Sequence, residues 1–262
     1  MKRVLSSIKR GLSKGRTRRN NLYRAVAFSA SVFFPLAARA QSFQQYQDAR
    51  YVSSADIATK LAERPQSLDI HTLGTDAYGR QILAAGIPSE LCNFVQAKQA
   101  KDEWCWAASV QMILNLHGIQ KTQQEVVYGL TGGQPNVPAS LETIERALTG
   151  YVTNAKGERV FVHATPNANG VTDLINDLAQ HNPVLLGLRT DDGIVFPASM
   201  RGGATGHAYV LTGIVYTRDQ AGRVQPISAV VRDPWPGNPD RQEIPWQQVA
   251  SRFMFMVRSA VN

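Results

Sequence analysis

The sequence contains only two cysteines, Cys92 and Cys105, among 262 residues. Two cysteines form at most one disulfide bond, so a disulfide-stapled scaffold is excluded. Internal repeats and low-complexity tracts are also absent, which excludes solenoid and propeller architectures. A chain of this length accommodates one ordinary domain rather than two large ones.

Acidic residues are missing from the N-terminal region. Residues 1–40 hold ten of the 28 lysines and arginines and no aspartate or glutamate. The other 222 residues carry 18 basic and 20 acidic side chains, a net charge of −2. The overall charge of +8 therefore belongs to the N-terminus. Because the rest of the chain has no basic excess, we expect no nucleic-acid partner.

The apolar stretch at residues 25–38 has fourteen residues, fewer than the ~20 that a membrane-spanning helix needs. It follows the basic stretch and ends at small residues, with Ala38 and Ala40 before Gln41. This order is typical of an export signal, and we predict that residues 1–40 are removed by cleavage before Gln41. We therefore expect a periplasmic or secreted protein with no stable membrane span after cleavage.

The export route stays open between two alternatives. Arg18 and Arg19 resemble the pair of a twin-arginine signal, and Arg39 near the cleavage point fits that route. Asn21, however, stands where such signals usually have an aromatic or aliphatic residue. The general export route is the other alternative.

Residues 41–90 have two possible roles, a removable pro-segment or an N-terminal part of the domain. Residues 54–63 have the pattern of a short helix, and glycines punctuate residues 66–90 in a way that predicts strands and turns. The main folded domain is predicted over residues 91–262.

Helical patterns dominate the next part of the chain. Apolar residues at helical spacing predict a long helix from Cys105 to the glycine cap at Gly118. Thr122 and Glu125 form a capping box that starts another helix. Residues 139–149 and 173–180 are predicted to form two more helices.

Strand patterns dominate the second half. They predict strands at residues 160–163, 184–188, 208–216, 227–231 and 253–257. A turn at residues 218–222 would make the third and fourth of these antiparallel neighbours. Helices followed by a mostly antiparallel sheet define an α+β fold.

Cys105 is the candidate nucleophile because it stands where the longest helix begins. Unpaired backbone N–H groups and the positive end of the helix dipole favour the thiolate, the reactive form of cysteine. Ala107 and Ala108 allow close packing against the first turn, and Trp104 and Trp106 can exclude water from the site.

His207 is the candidate base because a strand begins there, directly after Gly206. Asp233 follows the partner strand, and antiparallel pairing would bring its carboxylate near His207. A carboxylate on one ring nitrogen fixes the imidazole tautomer and leaves the other nitrogen for Cys105.

These residues resemble the papain-like cysteine protease superfamily. The resemblance is carried by Gln99 six positions before a tryptophan-flanked Cys105, by Gly206-His207-Ala208 and by Asp233-Pro234-Trp235. The Trp104–Ala108 box is most similar to compact bacterial members. The resemblance implies a thiol endopeptidase acting on protein or peptide substrates without a cofactor or metal.

The resemblance also implies a role for each matched residue. Cys105 would be the nucleophile, His207 the general base and acid, and Asp233 its orienting residue. Gln99 would donate to the oxyanion together with the backbone N–H of Cys105. Trp235 would shield the His–Asp pair, and Gln96 is an alternative to Gln99.

Some positions depart from the superfamily's patterns. Papain has asparagine where this chain has Asp233, and bacteriocin-leader peptidases usually have glycine where this chain has Trp106, so their double-glycine specificity is not carried over. A transglutaminase-like acyltransferase and a cell-wall peptide amidase could use the same triad, and a catalytically dead binding module is a third alternative.

The remaining titratable residues have simpler interpretations. His71, His117, His163 and His181 lack metal-ligand spacing and are predicted to be structural or surface groups. Residues 191–193 are interpreted as a solvated turn rather than a calcium site. Cys92 is either a small apolar core residue or the partner of Cys105 in a disulfide that would act as a redox lock.

Overall fold

The structure, a computed structural model, describes residues 53–62, 68–166, 170–189 and 206–262. The predicted export signal at residues 1–40 and the turn at residues 191–193 lie outside the described residues. All of the described residues belong to one unit, Gln41–Asn262. Within these ranges no helix has the length and apolar character needed to cross a membrane.

The described residues form seven helices and nine strands. The helices are α1 Ser54–Ala62, α2 Ser89–Val95, α3 Cys105–Leu116, α4 Gln123–Thr131, α5 Leu141–Ala147, α6 Val171–Ala179 and α7 Trp246–Arg252. The strands are β1 Ile70–Thr75, β2 Gln81–Gly86, β3 Gly150–Thr153, β4 Arg159–Pro166, β5 Val184–Arg189, β6 Gly206–Arg218, β7 Val224–Arg232, β8 Arg241–Pro245 and β9 Phe253–Val261.

Strand β6 organises the sheet because it pairs with three other strands. Its first half, from Gly206 to Leu211, pairs with β5, and its second half, from Gly213 to Arg218, pairs with β2 along the same edge. The other edge pairs with β7 from Val210 onward. Every strand pair among the described residues is antiparallel.

Two apolar cores lie against this sheet. One joins α3, α4 and α5 to the sheet through residues such as Trp106, Val110, Leu185 and Val210. The other joins α6 and α7 to the sheet through residues that include Leu178 and Val249. Burying two layers of helices against one sheet gives the domain the apolar interior that holds its elements in place.

The predicted α+β fold is confirmed, with the nucleophile candidate on a helix and the base candidate on the antiparallel sheet. The predicted helix from Cys105 is α3, and the Thr122–Glu125 capping box starts α4. The sequence patterns missed α2, β3, β8 and α7, which are short elements of four to seven residues.

Residues before the predicted domain boundary also pack into this unit. Strand β2 forms six register pairs with β6, and β1 extends the sheet beyond β2. In α1, Ile57 is buried, and Leu61 lies close to Gly118, the glycine cap of α3. These contacts describe the N-terminal part of the folded unit; whether a segment is removed in maturation stays a prediction.

Candidate active site

Cys105 is the first residue of α3 and is partly exposed. Trp104 occupies the N-cap position, and no side chain of the described residues caps this helix end. The N–H groups of the first turn are therefore left for a ligand or water, and the positive end of the helix dipole faces the sulfur. This is the position that the sequence predicts for the nucleophile.

His207 lies at the start of β6 and its side chain is buried. Its neighbour Gly206 is in close contact with Met254, since a Cβ atom at Gly206 would lie 2.7 Å from the Met254 sulfur. The absence of a side chain at Gly206 therefore lets the start of the strand approach β9.

Asp233 follows β7 and is completely buried, with both carboxylate oxygens saturated by donors. Its Oδ1 accepts hydrogen bonds from His207 Nε2 at 2.9 Å and from the backbone N–H of Trp235 at 2.8 Å. Its Oδ2 accepts from Asn238 Nδ2 at 2.7 Å and from Gln242 Nε2 at 2.6 Å. Burial alone would raise the pKa of Asp233, and these hydrogen bonds, with the charge of His207, hold it below its ordinary value.

The structure brings His207 against both Asp233 and Cys105. Burial alone would lower the pKa of His207, but hydrogen bonds to Asp233 and Cys105 and the negative charge at both residues raise it to about 9. The Asp233 carboxylate takes Nε2, which leaves Nδ1 for the sulfur. A raised pKa favours the protonated imidazole at neutral pH, with the Asp233 carboxylate on one ring nitrogen.

Ser109 connects the helix of Cys105 to the strand of His207. It lies one turn after Cys105, is fully buried, and donates from Oγ to the backbone carbonyl of Ala208 at 3.3 Å. Because Ala208 is the neighbour of His207, this bond joins the two elements close to the reacting groups.

Lys98 holds the turn that carries Asp233. Its half-buried ammonium donates to three backbone carbonyls, those of Asp233 at 3.0 Å, Trp235 at 3.0 Å and Asn238 at 2.9 Å. It also forms an ion pair with Asp240 at 2.8 Å. A lysine ammonium has three N–H donors, and the three backbone carbonyls of this turn are enough to use all of them.

Gln99, the predicted oxyanion donor, is buried beside the turn that precedes Cys105. Its Nε2 donates to the carbonyls of Lys101 at 3.0 Å and Asp102 at 2.7 Å, while its Oε1 has no hydrogen-bond partner. Donation to an oxyanion would therefore require one of these two bonds to be exchanged. Gln96 instead donates to the carbonyl of Asp233 at 3.2 Å.

The two tryptophans beside Cys105 anchor the segment 133–140. Trp104 Nε1 donates to the carbonyl of Pro135 at 2.8 Å, and Trp106 Nε1 donates to the carbonyl of Val137 at 3.2 Å. Both indole rings are buried, so each N–H needs such a partner. The tryptophans thus fix the loop that forms one wall of the site.

A cleft of about 180 Å³ opens at Cys105 and His207. Its apolar lining comes from the indole of Trp106, from the segment 133–140 and from β9. In β9, the ring of Phe255 lies over Gly187. A Cβ atom at Gly187 would lie 2.5 Å from that ring, so only glycine leaves room for it. Asp102 and Glu103 add negative charge at the start of α3.

Two aromatic residues, Tyr209 and Trp235, lie next in sequence but one to His207 and Asp233, respectively. The ring of Tyr209 meets that of His207 edge-to-face, with centroids 4.6 Å apart. Burial, together with the negative charge of Asp233 and Cys105, raises the pKa of Tyr209, which keeps its hydroxyl neutral. Trp235 is buried two residues after Asp233, where the resemblance places it, and shielding of the pair by its ring stays a prediction.

The disulfide hypothesis for Cys92 is wrong. Cys92 is a buried cysteine that forms no disulfide and packs with Leu116 at the C-terminal end of α3, whereas Cys105 begins that helix. Eleven residues of helix separate the two ends by roughly 16 Å, far beyond the ~7 Å that a disulfide permits between Cα atoms. The small-apolar-residue interpretation of Cys92 agrees with its burial.

The other histidines lie in structural or exposed positions. His117 is hydrogen-bonded to Ser259 at 2.9 Å, His71 is paired with Asp69, and His181 lies 3.6 Å from the same carboxylate. His163 is exposed on β4. Among the described residues, no group of three or more His, Cys, Asp or Glu side chains is arranged to hold a metal ion.

Sequence reasoning missed the residues that support the site. Asn238 and Gln242 bind the Asp233 carboxylate from five and nine positions further along the chain, and Lys98 donates to the backbone carbonyl of Asp233. Polar residues at these spacings match no sequence motif that would identify them as partners of a buried carboxylate. The one available signal was that Asp233, if buried beside a histidine, needs donors for its second oxygen.

A cysteine at a helix start, beside an imidazole that is hydrogen-bonded to a buried carboxylate, is the arrangement expected of a papain-like cysteine peptidase. The model of the Peptidase_C39 like family matches residues 91–261. The chain therefore belongs to this family, and family and fold together identify its class as cysteine peptidase. Among curated proteins, no significant match was found.

Two solved structures are similar to the chain at low identity. The peptidase domain of Streptococcus ComA, a bi-functional ABC transporter involved in quorum sensing, is 14% identical, with 63% of this chain and 96% of that chain covered and a TM-score of 0.41. The SERA5 proenzyme from Plasmodium falciparum is 12% identical, with 66% and 64% covered and a TM-score of 0.40.

Proposed function

We propose that this protein is an exported thiol endopeptidase that uses a Cys105–His207–Asp233 triad. The observation that supports the proposal most strongly is the double engagement of His207. One ring nitrogen binds the buried Asp233 carboxylate at 2.9 Å, and the sulfur of Cys105 lies within hydrogen-bonding reach of the imidazole. Each of these residues comes from a different element, so the constellation does not arise from sequence proximity.

The proposed reaction begins with the thiolate of Cys105 and the imidazolium of His207. The sulfur attacks the peptide carbonyl carbon, a C–S bond forms, and the carbonyl oxygen becomes an oxyanion. The C–N bond then breaks as His207 gives its proton to the leaving amine, which leaves a thioester on Cys105. Water that loses a proton to His207 attacks the thioester, releases the carboxylic acid and restores the free sulfur.

Two donors are proposed for the oxyanion. The backbone N–H of Cys105 belongs to the first turn of α3, which has no side-chain cap among the described residues. Gln99 lies under the turn before Cys105 and would exchange its bond to Lys101 or Asp102 for the oxyanion. Donors of this kind stabilise the negative charge more strongly in the transition state than in the ground state.

The cleft suggests which peptides would bind. Trp106, Ile144, Met254 and Phe255 offer apolar surface beside Cys105, so we propose that an apolar substrate side chain lies near the scissile bond. We also propose that the Trp104–Ala108 box marks the compact bacterial group of papain-like proteases.

Export is proposed from the sequence of residues 1–40, with the periplasm or the exterior of the cell as the destination. We expect mass spectrometry of the mature protein to find Gln41 at its N-terminus. A mature N-terminus after residue 86 would instead assign β1 and β2 to a removable pro-segment. Loss of β2 would take six register pairs from β6, the strand that carries His207.

Release of peptides from casein tests the proposed activity. We expect the purified protein to release them and the Cys105→Ala and His207→Ala variants to release none above background. Incorporation of an added amine into the substrate, with no free peptide, would instead assign an acyltransferase. Cleavage of cell-wall peptides but not casein would assign an amidase, and no turnover of any of these would favour a binding module.

A further inference from the structure

A second depression, of about 350 Å³, lies on the sheet away from the cysteine site. Its floor is formed by β2, β6 and β7, and its rim by the start of α2 and by β1 and β8. Neither Cys105, His207 nor Asp233 lines it. Its volume falls within the range of roughly 300–1,000 Å³ that is common for small-molecule sites.

Arg232 is the buried cation of this depression. Only 3% of its surface is exposed, and its Nη1 donates to Asn93 Oδ1 at 2.6 Å. Its Nε has no hydrogen-bond partner, and no ion pair of the described residues includes Arg232. The Nε–H of this buried guanidinium is therefore left without an acceptor.

A buried charge without a partner is unfavourable, because the guanidinium has lost its water and has gained only one neutral acceptor. Guanidinium groups bind carboxylates through two parallel N–H···O bonds, and Nε forms one side of such a fork. An anion seated on this edge would supply both the acceptor and the opposite charge that Arg232 lacks.

The rim has charges of both signs. Arg241 lies opposite Arg232 in the β7–β8 register, lines the depression and is exposed, so it can add a second positive charge to a bound anion. Asp69 is already paired with His71 and lies near His181, while Glu90 is exposed at the edge. Two carboxylates on the rim oppose a dianion more than a monoanion, which favours a carboxylate over a phosphate.

We propose that this depression binds a carboxylate-bearing ligand, with the carboxylate on the Nε edge of Arg232 and Arg241 at its rim. The site is independent of the proposed peptidase chemistry. It makes Arg232, the residue before Asp233, a binding residue rather than a structural cation.

Calorimetric titration with N-acetylglycine and N-acetylglycinamide, which differ only at the carboxylate, tests the proposal. The titrations use wild type and the Cys105→Ala variant at constant ionic strength and neutral pH. We expect saturable binding of N-acetylglycine to both proteins, with binding of the amide at least tenfold weaker because it lacks the charge-assisted bonds. Inorganic phosphate forms a third arm and is expected to bind more weakly than N-acetylglycine.

Variants identify the residues that hold the carboxylate. Arg232→Met is expected to weaken binding by tenfold or more. Since a buried substitution can impair folding, Arg241→Gln provides a second variant at an exposed position, with an expected loss of a few-fold. Arg223→Gln is the matched control, because Arg223 is an exposed arginine that is paired with Asp219 and does not line the depression.

Three results would overturn the proposal. The first is the absence of saturable N-acetylglycine binding by the folded wild-type protein. The second is an affinity that Arg241→Gln and a folded Arg232→Met leave unchanged. The third is tighter binding of phosphate or of the neutral amide, which would exclude a carboxylate as the preferred ligand. Because the Cys105→Ala variant lacks the proposed nucleophile, its titration measures carboxylate binding independently of peptidase activity. A failure of this proposal can therefore be told apart from a failure of the proposed function.

Discussion

The hydroxyl of Ser109 donates to the backbone carbonyl of Ala208 at 3.3 Å, and this bond joins the helix of Cys105 to the strand of His207. Ser109 is fully buried and lies four residues after Cys105, while Ala208 is next to His207. The distance between the Cys105 sulfur and the His207 ring therefore depends on a hydrogen bond in which neither Cys105 nor His207 takes part. Supporting bonds of this kind keep reactive groups in a productive geometry.

Ser109→Ala is expected to lower both stability and activity. Loss of one buried hydrogen bond costs about 1 kcal/mol of unfolding free energy, and we expect kcat/KM for a peptide substrate to fall several-fold. Ser259→Ala is the control, because Ser259 is also buried and donates to a backbone carbonyl, that of Pro183 at 3.1 Å, and it is hydrogen-bonded to His117 as well. Ser259→Ala should lose at least as much stability in a urea titration and keep full activity. An equal fall of kcat/KM in both variants would contradict the proposed coupling.

Lys98→Met is expected to disturb the turn that presents Asp233. The variant removes the cation that binds the carbonyls of Asp233, Trp235 and Asn238, so we expect kcat/KM to fall about tenfold through poorer alignment of the carboxylate. The alkaline limb of the pH–rate profile should also move to lower pH, because His207 would lose part of the interaction that raises its pKa.

The control for this experiment is Lys156→Met, since Lys156 is exposed and lies on the β3–β4 turn. It should leave both the rate and the pH profile unchanged. A Lys98→Met protein that is less stable but has an unshifted alkaline limb would indicate that Lys98 supports the fold and not the position of Asp233.

Asp233→Asn is expected to move the alkaline limb of activity. The pKa of His207 is raised from 6.5 to about 9, in part by the Asp233 carboxylate, so the imidazolium persists up to that pH in the wild type. Removing the negative charge should shift the limb of kcat/KM from near 9 toward 6.5 and lower the rate at least tenfold. A limb that stays near 9 in the variant would mean that Asp233 does not control the protonation of His207.

The same pKa shift links stability to pH. Because the folded pKa lies above the unfolded value of 6.5, the charged His207 stabilises the native state fully below that pH and loses this contribution as the pH rises through about 9. Thermal unfolding between these limits should show the loss in the wild type and a smaller one in Asp233→Asn.

Gln99→Ala is expected to reduce kcat with little change in KM. An oxyanion donor acts mainly in the transition state, and its removal typically costs about 10²- to 10³-fold in kcat. Gln96→Ala is the comparison, because Gln96 donates to the backbone carbonyl of Asp233, whereas Gln99 donates to the turn before Cys105. Steady-state kinetics in which the two variants lose similar activity would remove Gln99 from the oxyanion site.

The sequence was sufficient to predict the order of the main elements and three residues that the fold brings together. The helix from Cys105 had a long apolar pattern and a glycine cap, and β6 and β7 had β-branched runs with a turn between them. Pairing of those two strands then placed Asp233 near His207. These predictions succeeded because local pattern and final packing agree in long elements.

The short elements and the supporting bonds could not be predicted in this way. Strand β8 has five residues and carries Gln242, whose amide reaches Asp233 only because β7 and β8 pair. Lys98 lies in an irregular segment, and its partners are backbone carbonyls, which have no sequence identity. The separation of Cys92 from Cys105 depends on the packing of α2 against the far end of α3, which spacing along the chain does not reveal.

Labelling with an epoxide inhibitor of thiol proteases, read by peptide mass spectrometry, tests whether Cys105 is the nucleophile. We expect one adduct, on Cys105 and not on the buried Cys92, with loss of peptidase activity in proportion to labelling. The His207→Ala variant should label much more slowly. An unmodified Cys105 in the folded protein, or full activity in a completely labelled sample, would contradict the assignment of Cys105 as the nucleophile.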